Sequence, residues 1–237
     1  MGRVPTGGAV AYEITRSDTL AGPFAPVASV PATGSATYSY LCVGCGHNLS
    51  NLQDRLYKVR AVDNASNAAD SDDTGVRFSR PVATGPNLLA VPLPIANSTV
   101  EHVLRTVSFD VARTYRALDG ADPWKSYSVG RGGDLDSLQF GEAIWVNATA
   151  PGGYTHAGLA VTSPSVRLVT GWNLVSYATW SVETRAASMA GIPDVAVETA
   201  GAVPDPYRLR GVSGSALMWP GEAYWIYVAS DDVWVQG

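Results

Sequence analysis

Four Asn-x-Ser/Thr triplets, one Cys-x-x-Cys pair and three histidines are the residues of this 237-residue chain whose types and spacing could do chemistry. The triplets begin at Asn48, Asn64, Asn97 and Asn147, half of the eight asparagines, and each has the acceptor pattern for N-linked glycosylation. That share predicts exposure to a glycosylating machinery, with Asn48 and Asn64 in loops, Asn97 at a helix start and Asn147 at a strand end. Cys42 and Cys45 are the only cysteines. Their spacing suits a redox couple, half of a zinc site or a short loop disulfide. Redox work needs a strand-to-helix setting, whereas a strand and a loop surround this pair. A zinc site needs four ligands, and only His47 lies nearby. The expectation is a loop disulfide or two free thiols, with no metal.

No catalytic constellation can be assembled from the remaining candidates. His102 falls beside the apolar stripe of a predicted helix, on its solvated face, and His156 falls in a turn rich in Tyr, Thr and Gly. Ser213 in Gly211-Val212-Ser213-Gly214-Ser215 approximates a nucleophile elbow but lacks its closing glycine, so it reads as a turn. Gly130-Arg131-Gly132-Gly133 lacks the Lys-Ser/Thr and the helix of a phosphate-binding loop. Asp70, Asp72 and Asp73, and likewise Asp134 and Asp136, offer hard oxygen ligands, but neither set has EF-hand spacing, and both read as solvated turns. No catalytic residue and no cofactor is assigned.

Seven tryptophans raise a binding reading, because flat exposed rings stack on sugars. Trp145 and Trp225 stand at equivalent points of a repeat, which predicts packing for both. Trp124, Trp180 and Trp219 have no such counterpart and are the candidate ligand platforms.

The elements that must position these residues come in two copies. Gly141-Glu142-Ala143-Ile144-Trp145-Val146 returns at Gly221-Glu222-Ala223-Tyr224-Trp225-Ile226, and Gly85-Pro86-Asn87-Leu88-Leu89 returns at Gly171-Trp172-Asn173-Leu174-Val175. The offsets are 80 residues (141 to 221) and 86 residues (85 to 171), so a unit has been duplicated. Short alternating strands with turn signals fill residues 10–78. Each copy adds strands and one short helix. In the first copy Ser98 is the expected N-cap and Glu101 completes a capping box, ahead of the stripe Val100, Val103, Leu104 and Val107. In the second, a helix is expected over 182–189. The fold class is mainly β: a partial sandwich over 1–80, then β-rich repeats over 81–160 and 161–237.

Composition narrows the partners. Charged residues make up 16% and the net charge is −5, with no basic run, which argues against nucleic acid. No apolar stretch reaches the ~20 residues of a membrane span.

Tyr12-Glu13-Ile14-Thr15-Arg16-Ser17, Pro23-Phe24-Ala25-Pro26-Val27-Ala28 and Tyr57-Lys58-Val59-Arg60-Ala61-Val62-Asp63-Asn64-Ala65-Ser66-Asn67 resemble the C-terminal part of a fibronectin type III domain. The resemblance implies strands C, C′, E, F and G over residues 10–78, with strands A and B absent. The two-copy pattern, a GWNLV-type opening, a short helix, a WxxY strand and a GxxYWIxV ending, is similar to a repeat of secreted and cell-surface proteins of archaea and some bacteria. There it often follows a fibronectin type III domain. The first copy departs from that pattern with Pro86 in place of Trp.

The start, Met1-Gly2-Arg3-Val4-Pro5-Thr6, lacks the apolar core of a signal peptide, and the expectation is a piece of a longer exported polypeptide. The expected function is a non-catalytic extracellular or cell-surface module for spacing, display or adhesion, with surface glycans or neighbouring surface proteins as partners. The alternatives are a carbohydrate-binding accessory region of a secreted hydrolase and a self-assembling surface-layer or filament subunit.

Overall fold

Alternating side chains and closely spaced glycine turns make antiparallel strands the dominant element, and the computed structural model is mainly β. It describes residues 8–17, 22–35, 37–38, 56–71, 75–200 and 208–236. Cys42, Cys45, His47, Asn48, Asp72 and Asp73 lie outside these residues.

The first segment supplies β1 (Ala11–Ser17), β2 (Ala25–Pro31), β3 (Leu56–Val62), β4 (Ala68–Asp70) and β5 (Gly75–Val82). The first copy continues with β6 (Gly85–Ala90), α1 (Val100–Val103), β7 (Phe109–Tyr115), β8 (Trp124–Ser128), β9 (Gly132–Gly133), β10 (Ala143–Ala148) and β11 (Gly152–Leu159). The second copy comprises β12 (Ser165–Leu168), β13 (Gly171–Ser176), β14 (Glu183–Thr184), α2 (Arg185–Ser188), β15 (Asp194–Ala200), β16 (Leu209–Gly211), β17 (Leu217–Met218), β18 (Ala223–Val228) and β19 (Asp232–Val235). Among the described residues no helix is long and apolar enough to cross a membrane.

The copies share one strand order. β6-β10-β7-β8 in the first answers to β13-β18-β15-β16 in the second, and β9 extends the first sheet alone. Trp145 opposes Leu88 and Arg113, as Trp225 opposes Leu174 and Glu198. An antiparallel strand pair closes each copy, a separate ribbon in the second and the end of the first segment's sheet in the first. β11 pairs with β5 through Gly152 and Val82, and β19 pairs with β12 through Asp232 and Leu168. The offset drops from 85 at the helices (Val100 to Arg185) to 80 at the final strands because the second copy has a shorter connection in place of the β8–β9 hairpin.

Each such pair and its sheet enclose a core. Leu89, Ile144, Val146 and Tyr154 lie in the first core; Val175, Tyr224, Ile226 and Trp234 are their counterparts in the second. The stripe Val100, Val103, Leu104 and Val107 of α1 enters the first core as its spacing predicts. β5 also pairs with β3, so the first segment's sheet, β11-β5-β3-β1-β2, runs without a break into the first copy, and the expected boundary at residue 80 falls inside β5.

Three local expectations are corrected. The α1 N-cap is Thr99 rather than Ser98, because the Asn97 Oδ1 accepts from the Thr99 backbone N–H at 3.1 Å and its hydroxyl at 2.8 Å, which delays the first helical residue. Glu101 makes no capping box; its carboxylate accepts the Tyr127 hydroxyl instead. His156 is not in a turn. It sits on β11, almost fully buried.

Candidate functional site

The recurring polar residues serve the backbone. Asn87 accepts from the Ala83 N–H at 3.0 Å and donates to the carbonyls of Ala83 and Gly85, and Asn173 repeats this with Val169 and Gly171. Gly85 (φ 96°) and Gly171 (φ 100°) give the positive φ that each of these loops requires. Thr114 donates to the Ala143 carbonyl at 2.6 Å, and Thr199 donates to Ala223 at 2.8 Å. Glu142 is held by Arg116 at 2.8 Å and by the Gln139 N–H, while Glu222 is held by Arg80 at 3.1 Å and by the Tyr224 hydroxyl. Burial, with the Glu222 carboxylate beside it, pushes the Tyr224 hydroxyl well above the usual phenol range, so it stays a donor.

His156 occupies the place that Gln236 takes in the second copy. Its Nε2 lies 2.9 Å from the Leu93 carbonyl, which can only accept, so Nε2 carries the proton. Nδ1 then accepts from the Tyr154 hydroxyl at 3.2 Å. Burial pulls the imidazole below its usual pKa and keeps it neutral. Gln236, just past the end of β19, accepts from the Ala178 N–H and donates to the Ser176 carbonyl at the equivalent position. A histidine whose counterpart is glutamine acts here as a hydrogen-bonding wedge.

The copies meet through the outer faces of their sheets. Leu88, Ala90 and Ala143 pack against Leu174, Ala223 and Trp225, with Tyr115, Trp145 and Ala200 at the margin. The Ser176 N–H donates to the Gly141 carbonyl at 2.8 Å across this seam. Both repeat-equivalent tryptophans belong to the seam, but unequally. Trp225 is 9% exposed because Tyr115 and Trp124 of the first copy cover it, at ring separations of 5.2 and 5.8 Å. Trp145 remains half-buried, since the second copy offers Ala200 and Leu209 at the positions of Tyr115 and Trp124.

Among the described residues, two clefts flank the seam. One, of about 560 Å3, runs between the turn after β7 and strands β12 and β13, past Arg116, Leu118, Glu142 and Arg167. The other, of about 480 Å3, opens on the outer face of the first copy. Pro86, Val111, Arg113, Trp124, Trp145 and Asn147 line it. Arg113 is exposed, and among the described residues its guanidinium makes no hydrogen bond or ion pair. The Asn147 Nδ2 donates to Asp110 at 2.8 Å, leaving its Oδ1 open.

The three tryptophans expected as platforms part ways. Trp124 is 49% exposed, yet one side of its ring rests on Tyr115 and Trp225. Trp219 stands exposed at the turn before Gly221, away from that cleft. Trp180 packs against the first core and donates its indole N–H to the Val161 carbonyl at 3.1 Å. Sequence reasoning did not single out Arg113 or Tyr115. Both lie on β7 at period-two spacing, facing Trp145 and Trp124 across the ladder, and this alternation was the available signal.

Asn64, Asn97 and Asn147 are exposed, and Asn64 tips a turn that the Asp63 carboxylate clamps through the Ala65 and Asn67 N–H groups. Asp70 pairs with Arg60 at 2.7 Å. The Ser126 backbone N–H leads the donors that hold the Asp134 carboxyl below the usual range. Ser213 lies in an exposed turn with its hydroxyl 3.4 Å from that of Ser215. In comparisons with known proteins, no family profile, no curated protein and no solved structure matches this chain.

Proposed function

We propose that this chain is a non-catalytic module of a larger exported protein, displayed outside the cell, where it serves spacing, display or adhesion. One observation carries the reading. The polar side chains that recur in both copies, Asn87 and Asn173, Thr114 and Thr199, all hold loops and strands together, which is the pattern of a scaffold unit. The strand order β5-β3-β1-β2 supports a fibronectin-type first segment, since it is the order G-F-C-C′ of one sheet of such sandwiches. Exposure of Asn64 and Asn97 agrees with an extracytoplasmic setting, whereas Asn147 lines the cleft with its Nδ2 engaged by Asp110.

Surface biotinylation of intact native cells, with mass analysis of the Asn64 and Asn97 peptides, tests the compartment. A chain found only inside the cell and unmodified at both would overturn it. A hydrolytic turnover abolished by one Ser, His or Asp substitution would overturn the non-catalytic reading.

The second reading, a carbohydrate-binding accessory region, is favoured by the exposed but braced ring of Trp124 beside an open cleft.

A further inference from the structure

The duplication provides an internal comparison for the cleft on the first copy. The ladders align its lining position by position with the second copy. Asn147 opposes Pro86 and Val111, as Tyr227 opposes Trp172 and Ala196. Arg113 corresponds to Glu198, Trp145 to Trp225, and Trp124 to Leu209.

In the second copy this face is filled. Trp172 packs edge-on against Tyr227 at 5.4 Å and against Trp225 at 6.3 Å, and the charged residue is acidic. In the first copy the two filling rings are replaced by Pro86 and Asn147, and the acid by Arg113. Trp145 is retained and Trp124 is added. Together they remove bulk, leave Trp145 half-buried beside the exposed Trp124, and install a cation in one concave place, the composition of a small-ligand site.

We infer that this cleft binds an acidic oligosaccharide, with Trp124 and Trp145 as apolar walls for pyranose faces, Arg113 as the partner of a uronate carboxylate, and the Asn147 Oδ1 as an acceptor for a sugar hydroxyl. The inference rests on the carbohydrate-binding reading and adds the site and the charge of the ligand. Arg113 has its guanidinium open to a planar carboxylate, which it can meet with two parallel hydrogen bonds. Trp124 is held by Tyr115 and Trp225, so little freedom remains to be lost on binding. A polyphosphate ligand fits worse. One arginine in a chain of net charge −5 does not make the basic track that a nucleic-acid backbone needs.

The test is calorimetric titration of the chain with a galacturonate tetrasaccharide and with a neutral glucose tetrasaccharide of equal length. The uronate is expected to bind, and Arg113→Gln is expected to weaken it roughly tenfold or more, the loss of a charge-assisted contact. The same variant should leave neutral-sugar binding unchanged. Trp124→Ala should abolish binding of both sugars, while Trp219→Ala should leave both intact. Pro86→Trp with Asn147→Tyr, which imports the second copy's filling, should block the cleft; an unchanged circular dichroism spectrum and melting temperature would separate blockage from unfolding. Equal affinity for both sugars with a silent Arg113→Gln would overturn the acidic ligand and leave the carbohydrate-binding reading standing. Binding that survives Trp124→Ala and the filled cleft but fails in Trp219→Ala would overturn the site alone. Absence of binding by either sugar at millimolar concentration would overturn both.

Discussion

The ring of Trp225 lies 5.2 Å from that of Tyr115, so the second copy's repeat-equivalent indole is buried by a side chain of the first. Trp225→Ala should destabilise the chain by about 3–5 kcal/mol, the range for removing a large buried ring. Tyr115→Ala should cost less, because its ring is half-buried. The double variant should fall short of the sum by about 0.5–1.5 kcal/mol, the coupling of an aromatic pair. Urea unfolding of the four proteins measures this. Strict additivity would mean that the copies do not depend on one another through these rings.

Asn87 and Asn173 make the same loop clamp in different surroundings. Asn173 is 1% exposed and Asn87 half-buried. Removing either leaves backbone groups without partners, at about 1–3 kcal/mol where water cannot replace them. Asn173→Ala should therefore cost more than Asn87→Ala. Asn173→Asp should be worse still at neutral pH, since it loses the donor and turns an anionic oxygen toward the Val169 and Gly171 carbonyls. Thermal melts of the three variants give the ranking.

Gly141 and Gly221 both have positive φ, 86° and 71°, so alanine at either carries a similar left-handed backbone penalty of roughly 1–2 kcal/mol. Their neighbours differ. A Cβ at Gly141 would stand 3.2 Å from a Val166 methyl, whereas one at Gly221 would fall within the Phe78 ring. Gly221→Ala should be the more destabilising, and the excess should shrink in a Phe78→Leu background. An equal effect at both positions would show that β5 yields freely to the turn before β18.

His156 gives the chain a pH dependence that Gln236 does not give to its own copy. The native imidazole is held neutral by burial, so its pKa lies below the unfolded value of about 6.5. As the pH falls below that value the unfolded state takes up a proton that the folded state refuses. The contribution of His156 is therefore complete above about pH 6.5 and is lost as the pH drops toward the native pKa. His156→Gln keeps a donor for the Leu93 carbonyl and should flatten the melting-temperature profile below about pH 6.5. A profile identical to that of the parent chain would place the acid sensitivity elsewhere.

Much of the architecture was written in the chain. The glycine-anchored repeats, the alternating strands and the i, i+3, i+4, i+7 stripe are local patterns, and local patterns read directly from sequence. The packing expected of both Trp145 and Trp225 from their equivalence holds for Trp225, which is buried, while Trp145 stays half-buried at the margin of the seam. β11 escaped notice because Gly152-Gly153 and the Thr155-His156 pair look like a turn, and only the ladder with β5 makes them a strand. The α1 start moved because two polar side chains competed for the same backbone groups, a contest that spacing alone does not settle.

The amino-acid order by itself determined that this is a mainly β chain with a duplicated unit and one short helix in each copy, because periodicity and repetition are properties of one dimension. Only the tertiary structure decided which copy covers which ring, that β5 serves the first segment and the first copy at once, and that one face is filled where its twin stands open. Those outcomes depend on strand register and on the contact of outer sheet faces, which bring together residues far apart in the chain, such as Arg80 and Glu222, with nothing local to announce their meeting.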